Sequence, residues 1–124
     1  MQRDLDKLED ILTATADIAD FIAGLDYASF VAERGRRYSI LHAFTIIGEA
    51  SSQLSTALRA RHNSVPWCRI IDFRHRVVHG YGLLDLEQTW QISLHFAPEL
   101  REQIQAVLAV EYPDAKGIPV DGER

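Results

Sequence analysis

Eight consecutive residues, Arg74-His75-Arg76-Val77-Val78-His79-Gly80-Tyr81, gather the side chains of this chain best suited to chemistry. Arginine offers a planar, permanently charged fork that grips phosphate through paired hydrogen bonds. Histidine gains and loses a proton near neutral pH, which suits it to general acid–base work. Together these groups suffice for metal-free cleavage of RNA, in which a ribose 2′-hydroxyl attacks the adjacent phosphorus and leaves a 2′,3′-cyclic phosphate. One group moves the proton while the other steadies charge on the five-coordinate transition state.

Each residue has a structural reading beside the chemical one. His79 suits the general acid or base, but it would equally bond the last carbonyls of a helix and favour the negative end of its dipole. Arg74 suits a phosphate clamp, or a surface arginine paired with Asp72 or Asp85. Five positions on an ideal helix turn through ~140°, so Arg74 and His79 share no stripe. Convergence requires a loosened helix before Gly80, a wrapped arginine, or a second subunit. His75 lies four residues before His79 and shares its face, where it either assists the chemistry or bonds the backbone. A metal between these two histidines is not expected, because Arg76 stands where a metalloprotease helix carries glutamate. Tyr81, between two glycines, presents an exposed hydroxyl or covers the edge of a core. Glu49 either serves a structural role towards an arginine or joins the catalytic group.

These residues sit in a chain of 124 residues, enough for one domain with a modest core. Apolar residues at 47% and charged residues at 25% are ordinary globular composition. No apolar run reaches the ~18–20 residues needed to cross a bilayer, and no signal-peptide pattern is recognised, so no membrane partner is expected. The lone Cys68 cannot form an internal disulfide, which points to a reducing cytoplasm; it is expected to be a small buried residue. The net charge of −5 is unevenly spread. Between Arg34 and Arg76 lie eight arginines (34, 36, 37, 59, 61, 69, 74 and 76) against Glu49 and Asp72, leaving +6 in the middle and −11 on the flanks. Such a basic centre suits a phosphate groove, an acidic protein partner, or a solvated helix face. Arg36, Arg37 and Arg76 are candidates for an RNA track; Arg36 and Arg37 fit an acidic partner equally well.

The periodicity is helical almost throughout. Leu5, Leu8, Leu12, Thr15, Ile18 or Ala19, and Ile22 mark a first amphipathic helix ending near Gly24. Asp26 caps a short helix through Phe30 and Val31 towards Gly35. A long helix is expected over about Arg36 to Arg61, with Ile40, Phe44, Ile47, Ser51, Leu54 and Leu58 as a coiled-coil-like seam. Pro66 opens a helix through Trp67, Ile70, Ile71, Arg74 and Val78, ended by Gly80 and Gly82. Asp85 with Gln88 forms a capping signal for a last helix carrying Trp90, Leu94, Leu100, Ile104 and Leu108, with a kink expected at Pro98. Trp67 and Trp90 read as core or interface anchors. The expected architecture is one all-α bundle of four main helices and one short one over residues 1–112, followed by a flexible tail over 113–124.

Arg74, His79 and Tyr81 in an Arg-x4-His-x-Tyr arrangement resemble the signature of the HepT toxin family of the HEPN superfamily. The likeness extends to Ile47-Gly48-Glu49-Ala50, Pro66-Trp67, Ile70-Ile71 and Trp90, over roughly residues 3 to 110. The resemblance implies an all-α homodimer whose paired motifs line one groove. It also implies a metal-independent endoribonuclease, the toxin of a type VII toxin–antitoxin system, restrained by a minimal nucleotidyltransferase antitoxin that transfers AMP to the motif tyrosine, here Tyr81. An AMP group there would block the groove and add negative charge where RNA phosphate must sit. His75 departs from the asparagine usual after the motif arginine. No cofactor is implied. Two alternatives stand beside this expectation: a non-catalytic helical dimer that binds a nucleotidyltransferase, and a purely structural dimerisation bundle.

Overall fold

In the computed structural model, which describes residues 2–115, seven α-helices and two short helical turns follow one another with no strand among the described residues. Helix α1 (Gln2–Ile22) buries Leu8, Ile11, Leu12, Thr15 and Ile18 on one face. It stops where Gly24 takes a left-handed φ of 77°, a conformation that favours glycine. Helix α2 (Tyr27–Ala32) starts at Asp26, whose carboxylate accepts from the Ser29 backbone N–H at 2.8 Å. That hydrogen bond holds the Asp26 carboxyl below its ordinary range.

The expected long helix is two helices. Helix α3 runs Arg34–Gln53, the chain then leaves helical geometry at Leu54 and Ser55, and α4 runs Thr56–Arg61. The cause lies at the other end of the sequence. The buried carboxylate of Asp4 accepts from the Ser55 backbone N–H at 2.9 Å and from its hydroxyl at 2.7 Å. Ser55 in turn caps α4 by accepting from the Leu58 N–H. The apolar seam survives this break: Ile40, Phe44, Ile47, Ser51, Leu54 and Leu58 are all buried within this one chain. The seam is therefore intramolecular core rather than a strip left open for a partner. The break also adds a second short helix to the one expected.

Helix α5 (Trp67–His79) follows Pro66 and buries Trp67, Ile70, Phe73 and Val77, while Ile71 is half-buried and Val78 exposed. The Trp67 indole N–H donates to the His62 carbonyl at 3.1 Å. Cys68 is exposed, contrary to expectation, because it follows Trp67 by one residue and so lies about 100° round α5 from that buried ring. A 3-10 turn (Tyr81–Leu83) leads to Asp85, which caps α6 (Leu86–Gln91) by accepting from Gln88 N–H at 3.1 Å. A π-turn (Ile92–Phe96) joins α6 to α7 (Ala97–Glu111) without leaving helical geometry. Pro98 has no N–H to offer the carbonyl four residues back and its ring would press on it, so the helix widens immediately before it.

Helix α1 packs most extensively on α3, α3 also carries α5, and α7 packs on α1. Helix α5 consequently leans on α3 and has little contact with α6–α7, which leaves a cleft beside the motif helix. Trp90 is buried against Phe30, with ring centroids 5.1 Å apart. No helix among the described residues is long and apolar enough to cross a membrane. Of the expected tail, Pro113 and Asp114 form a turn after α7, and residues 116–124 lie outside the described residues.

Candidate active site

All the motif residues hang from α5 and the turn after it, and α5 remains a regular helix through His79. Arg74 faces α3. The two helices approach there because Gly48 has no side chain: a Cβ on it would lie 2.2 Å from Arg74 Cβ and 2.8 Å from Cγ. The Arg74 guanidinium reaches along α3 to Glu49, with Nη2 2.9 Å from Oε1. Arg74 Nε is buried without a hydrogen-bond partner, so part of this charged group's donor capacity is unused. An open hollow of about 380 Å³ lies beside it, lined by Lys7, Asp10, Thr45, Ile46, Glu49, Ala50 and Arg74.

His79 lies on another side of α5. Its ring is stacked on His75, with centroids 6.1 Å apart and planes 18° apart, as their four-residue spacing requires. The two imidazoles, with Asp72, Arg76 and Gly80, line a wide shallow groove of about 520 Å³. Arg76 lies across the Phe73 ring at 5.5 Å from its centroid. This side of the chain therefore combines two proton carriers with one guanidinium. Arg74 and His79 line separate hollows, as the ~140° between them dictates.

Tyr81 is partly exposed and its ring meets Tyr38 of α3 edge-on at 5.5 Å. Hydrogen bonding with Tyr81 holds the Tyr38 phenol above its ordinary range, opposed by nearby Arg34 and Arg37. The Tyr38 contact had no short-range signal, because the two tyrosines are 43 positions apart. Arg36 and Arg37 are turned to structural work. Arg36 Nη1 donates to the Phe21 and Ala23 carbonyls at 3.5 and 3.4 Å and pairs with Glu33 at 3.6 Å. Arg37 Nη1 donates to the Phe30 and Val31 carbonyls. Both thus cap helix C-termini, where unsatisfied carbonyls attract cations. Among the described residues no group of three or more His, Cys, Asp or Glu side chains is placed to hold a metal ion.

A family described as "Ribonuclease HepT-like" matches residues 11–107, a span that includes all of α3 to α6 and the motif. A candidate RNase of Methanocaldococcus jannaschii is 30% identical over 100 residues, covering 81% of this chain and 92% of the relative. A candidate RNase of Caldanaerobacter subterraneus is 29% identical over 104 residues, covering 84% and 93%. A Thermococcus cleftensis protein named "Probable ribonuclease HepT" is 26% identical over 100 residues, covering 81% and 91%. No solved structure gives a significant match.

Proposed function

This chain belongs to the HepT-like ribonuclease family, and from that premise we propose that it is a toxin endoribonuclease that cuts RNA without a metal and is silenced by AMP transfer to Tyr81. The stacked His75–His79 pair beside Arg76 in one open groove is the observation that carries this reading. A neutral His79 takes the proton from the ribose 2′-hydroxyl. The 2′-oxygen then bonds to phosphorus, the bond from phosphorus to the 5′-oxygen breaks, and a protonated histidine supplies that oxygen with its proton. The products are a 2′,3′-cyclic phosphate and a 5′-hydroxyl. Guanidinium groups hold the phosphoryl oxygens as charge builds on them.

Arg74 belongs to this chemistry through a second copy of the chain. One protomer turns Arg74 and His79 to different sides, so a groove assembled from two copies brings the arginine of one to the histidine of the other. In the silenced state, the Tyr81 hydroxyl has attacked the α-phosphorus of ATP bound to a nucleotidyltransferase antitoxin and displaced pyrophosphate. Tyr81 is accessible enough for this and lies on the turn that follows His79.

The decisive measurement is cleavage of messenger and transfer RNA in EDTA by protein made without antitoxin and shown by intact mass to be unmodified. Activity that survives chelation and disappears in His79→Ala supports the assignment. Loss of activity on chelation removes the metal-free mechanism. An inactive unmodified protein that still binds a nucleotidyltransferase makes the chain a non-catalytic partner. Tyr81→Phe should cleave RNA yet escape silencing when the antitoxin and ATP are added.

A further inference from the structure

We propose that the cleft between α3, α5 and the 86–96 stretch is a subsite for one unstacked base of single-stranded RNA, whose flanking phosphate is held by Arg69 and Arg76. The proposal rests on the ribonuclease reading and adds to it a means of recognition. The cleft encloses about 510 Å³, room for a nucleotide. Its floor is apolar: Phe44 and Phe73 are buried in edge-to-face contact at 5.3 Å, Ile47, Ile70 and Ile92 also line it, and the half-buried Phe96 closes one wall. Its rim is polar, formed by Arg69, Asp72, Arg76 and Gln88. An apolar floor under a polar rim matches a base, which has an apolar face and a hydrogen-bonding edge.

Two features favour RNA over a protein segment as the occupant. Arg69 and Arg76 lie on one face of α5, and among the described residues no carboxylate is within ion-pair distance of either. Two unneutralised guanidiniums complement a phosphodiester and oppose burial under an apolar partner. The cleft also borders the histidine groove, since Asp72 and Arg76 line both. A base seated in the cleft therefore delivers the neighbouring phosphodiester to His75 and His79. Asp72 accepts from an exocyclic amino group and Gln88 both donates and accepts, so the site favours adenine, guanine or cytosine over uracil.

The test measures binding of an uncleavable 2′-O-methyl single-stranded oligonucleotide by fluorescence anisotropy, with cleavage of ordinary RNA and light scattering on the same proteins. Arg69→Gln, a surface change, and Phe96→Ala should each weaken binding roughly 5- to 20-fold. Oligouridine should bind more weakly than oligoadenosine to the wild-type chain; Phe96→Ala should narrow that gap, whereas Arg69→Gln, which removes a phosphate contact, should weaken both alike. Wild-type affinity in Arg69→Gln overturns the proposal, whatever Phe96→Ala does to folding. So does a variant that changes the oligomeric state and leaves affinity intact, which makes the cleft an interface between copies. Cleft-dependent binding without any cleavage would remove the ribonuclease reading and leave the base subsite standing. Cleavage with binding indifferent to the cleft would do the reverse.

Discussion

Arg74 and His79, five residues apart on one unbroken helix, line two separate hollows of the same chain. If the catalytic pair forms between copies, Arg74→Ala and His79→Ala proteins should each be inactive yet restore one another on mixing. A mixed dimer holds one site with both residues and one with neither. At equal concentrations random pairing returns roughly a quarter of wild-type cleavage. Mixing that restores nothing, in protein shown to exchange subunits, places arginine and histidine of the same chain together or removes Arg74 from the reaction.

Gly48 sets how deeply α5 seats on α3. Gly48→Ala places a methyl group 2.2 Å from Arg74 Cβ, which belongs to a packed helix and cannot swing aside as a side-chain tip would. Overpacking of this kind costs about 1–3 kcal/mol. The expected readout is a melting temperature lowered by roughly 5–15 °C. Cleavage should fall with it, since the displaced helix carries the whole motif. An unchanged melting temperature would mean that the two helices separate freely.

His75 stacks on His79, and its position invites comparison with asparagine. If His79 is the principal proton carrier, His75→Asn should retain cleavage within about tenfold of wild type. Loss of a true acid–base group costs roughly 10²–10⁴-fold. Single-turnover rates for His75→Asn and His79→Asn would show this. Equal losses would make the two imidazoles one acid–base pair.

Glu111 ties the end of α7 to the end of α4. Arg61 donates to it at 3.0 and 2.8 Å and His62 lies 2.7 Å away, and these partners hold its carboxyl at about 2 against an ordinary 4.5. A carboxyl depressed by folding stabilises the native chain above its unfolded pKa and ceases to do so as pH falls through the folded one. With Arg61 half-exposed, solvent screening leaves about 1 kcal/mol of this. Urea unfolding should therefore find Glu111→Gln weaker than wild type at pH 6, with the difference fading between pH 4.5 and 2. A penalty that does not vary with pH would show that the pair adds nothing through its charge.

Much of the fold is legible wherever the cause is local. Asp26 and Asp85 cap the helices that follow them, Pro66 opens α5, and the Ile40 to Leu58 periodicity marks buried positions, because each signal is carried by residues within one or two turns. The break at Ser55 is invisible to such reading because its partner Asp4 is 51 residues away. For the same reason Arg74 finds Glu49 on another helix rather than either expected aspartate. At the site, the His75–His79 stack follows from spacing alone. The aromatic cleft does not, since Phe44, Phe73 and Phe96 meet only through tertiary packing.

The arginine-rich middle of the sequence looks like a broad polyelectrolyte surface, but folding engages half of its eight arginines in contacts within the chain. Arg36 and Arg37 serve carbonyls, Arg61 serves Glu111 and Arg74 serves Glu49. Of the other four, Arg69 and Arg76 line the cleft, are exposed, and among the described residues have no carboxylate within ion-pair distance. Counterion release from single strands scales as about 0.7 per phosphate neutralised, so Arg69 and Arg76 together add only about −1.4 to the log–log salt dependence of RNA binding. Selection of RNA by this protein should accordingly survive physiological ionic strength with little loss, and rest on the fit of a base more than on the pull of its backbone.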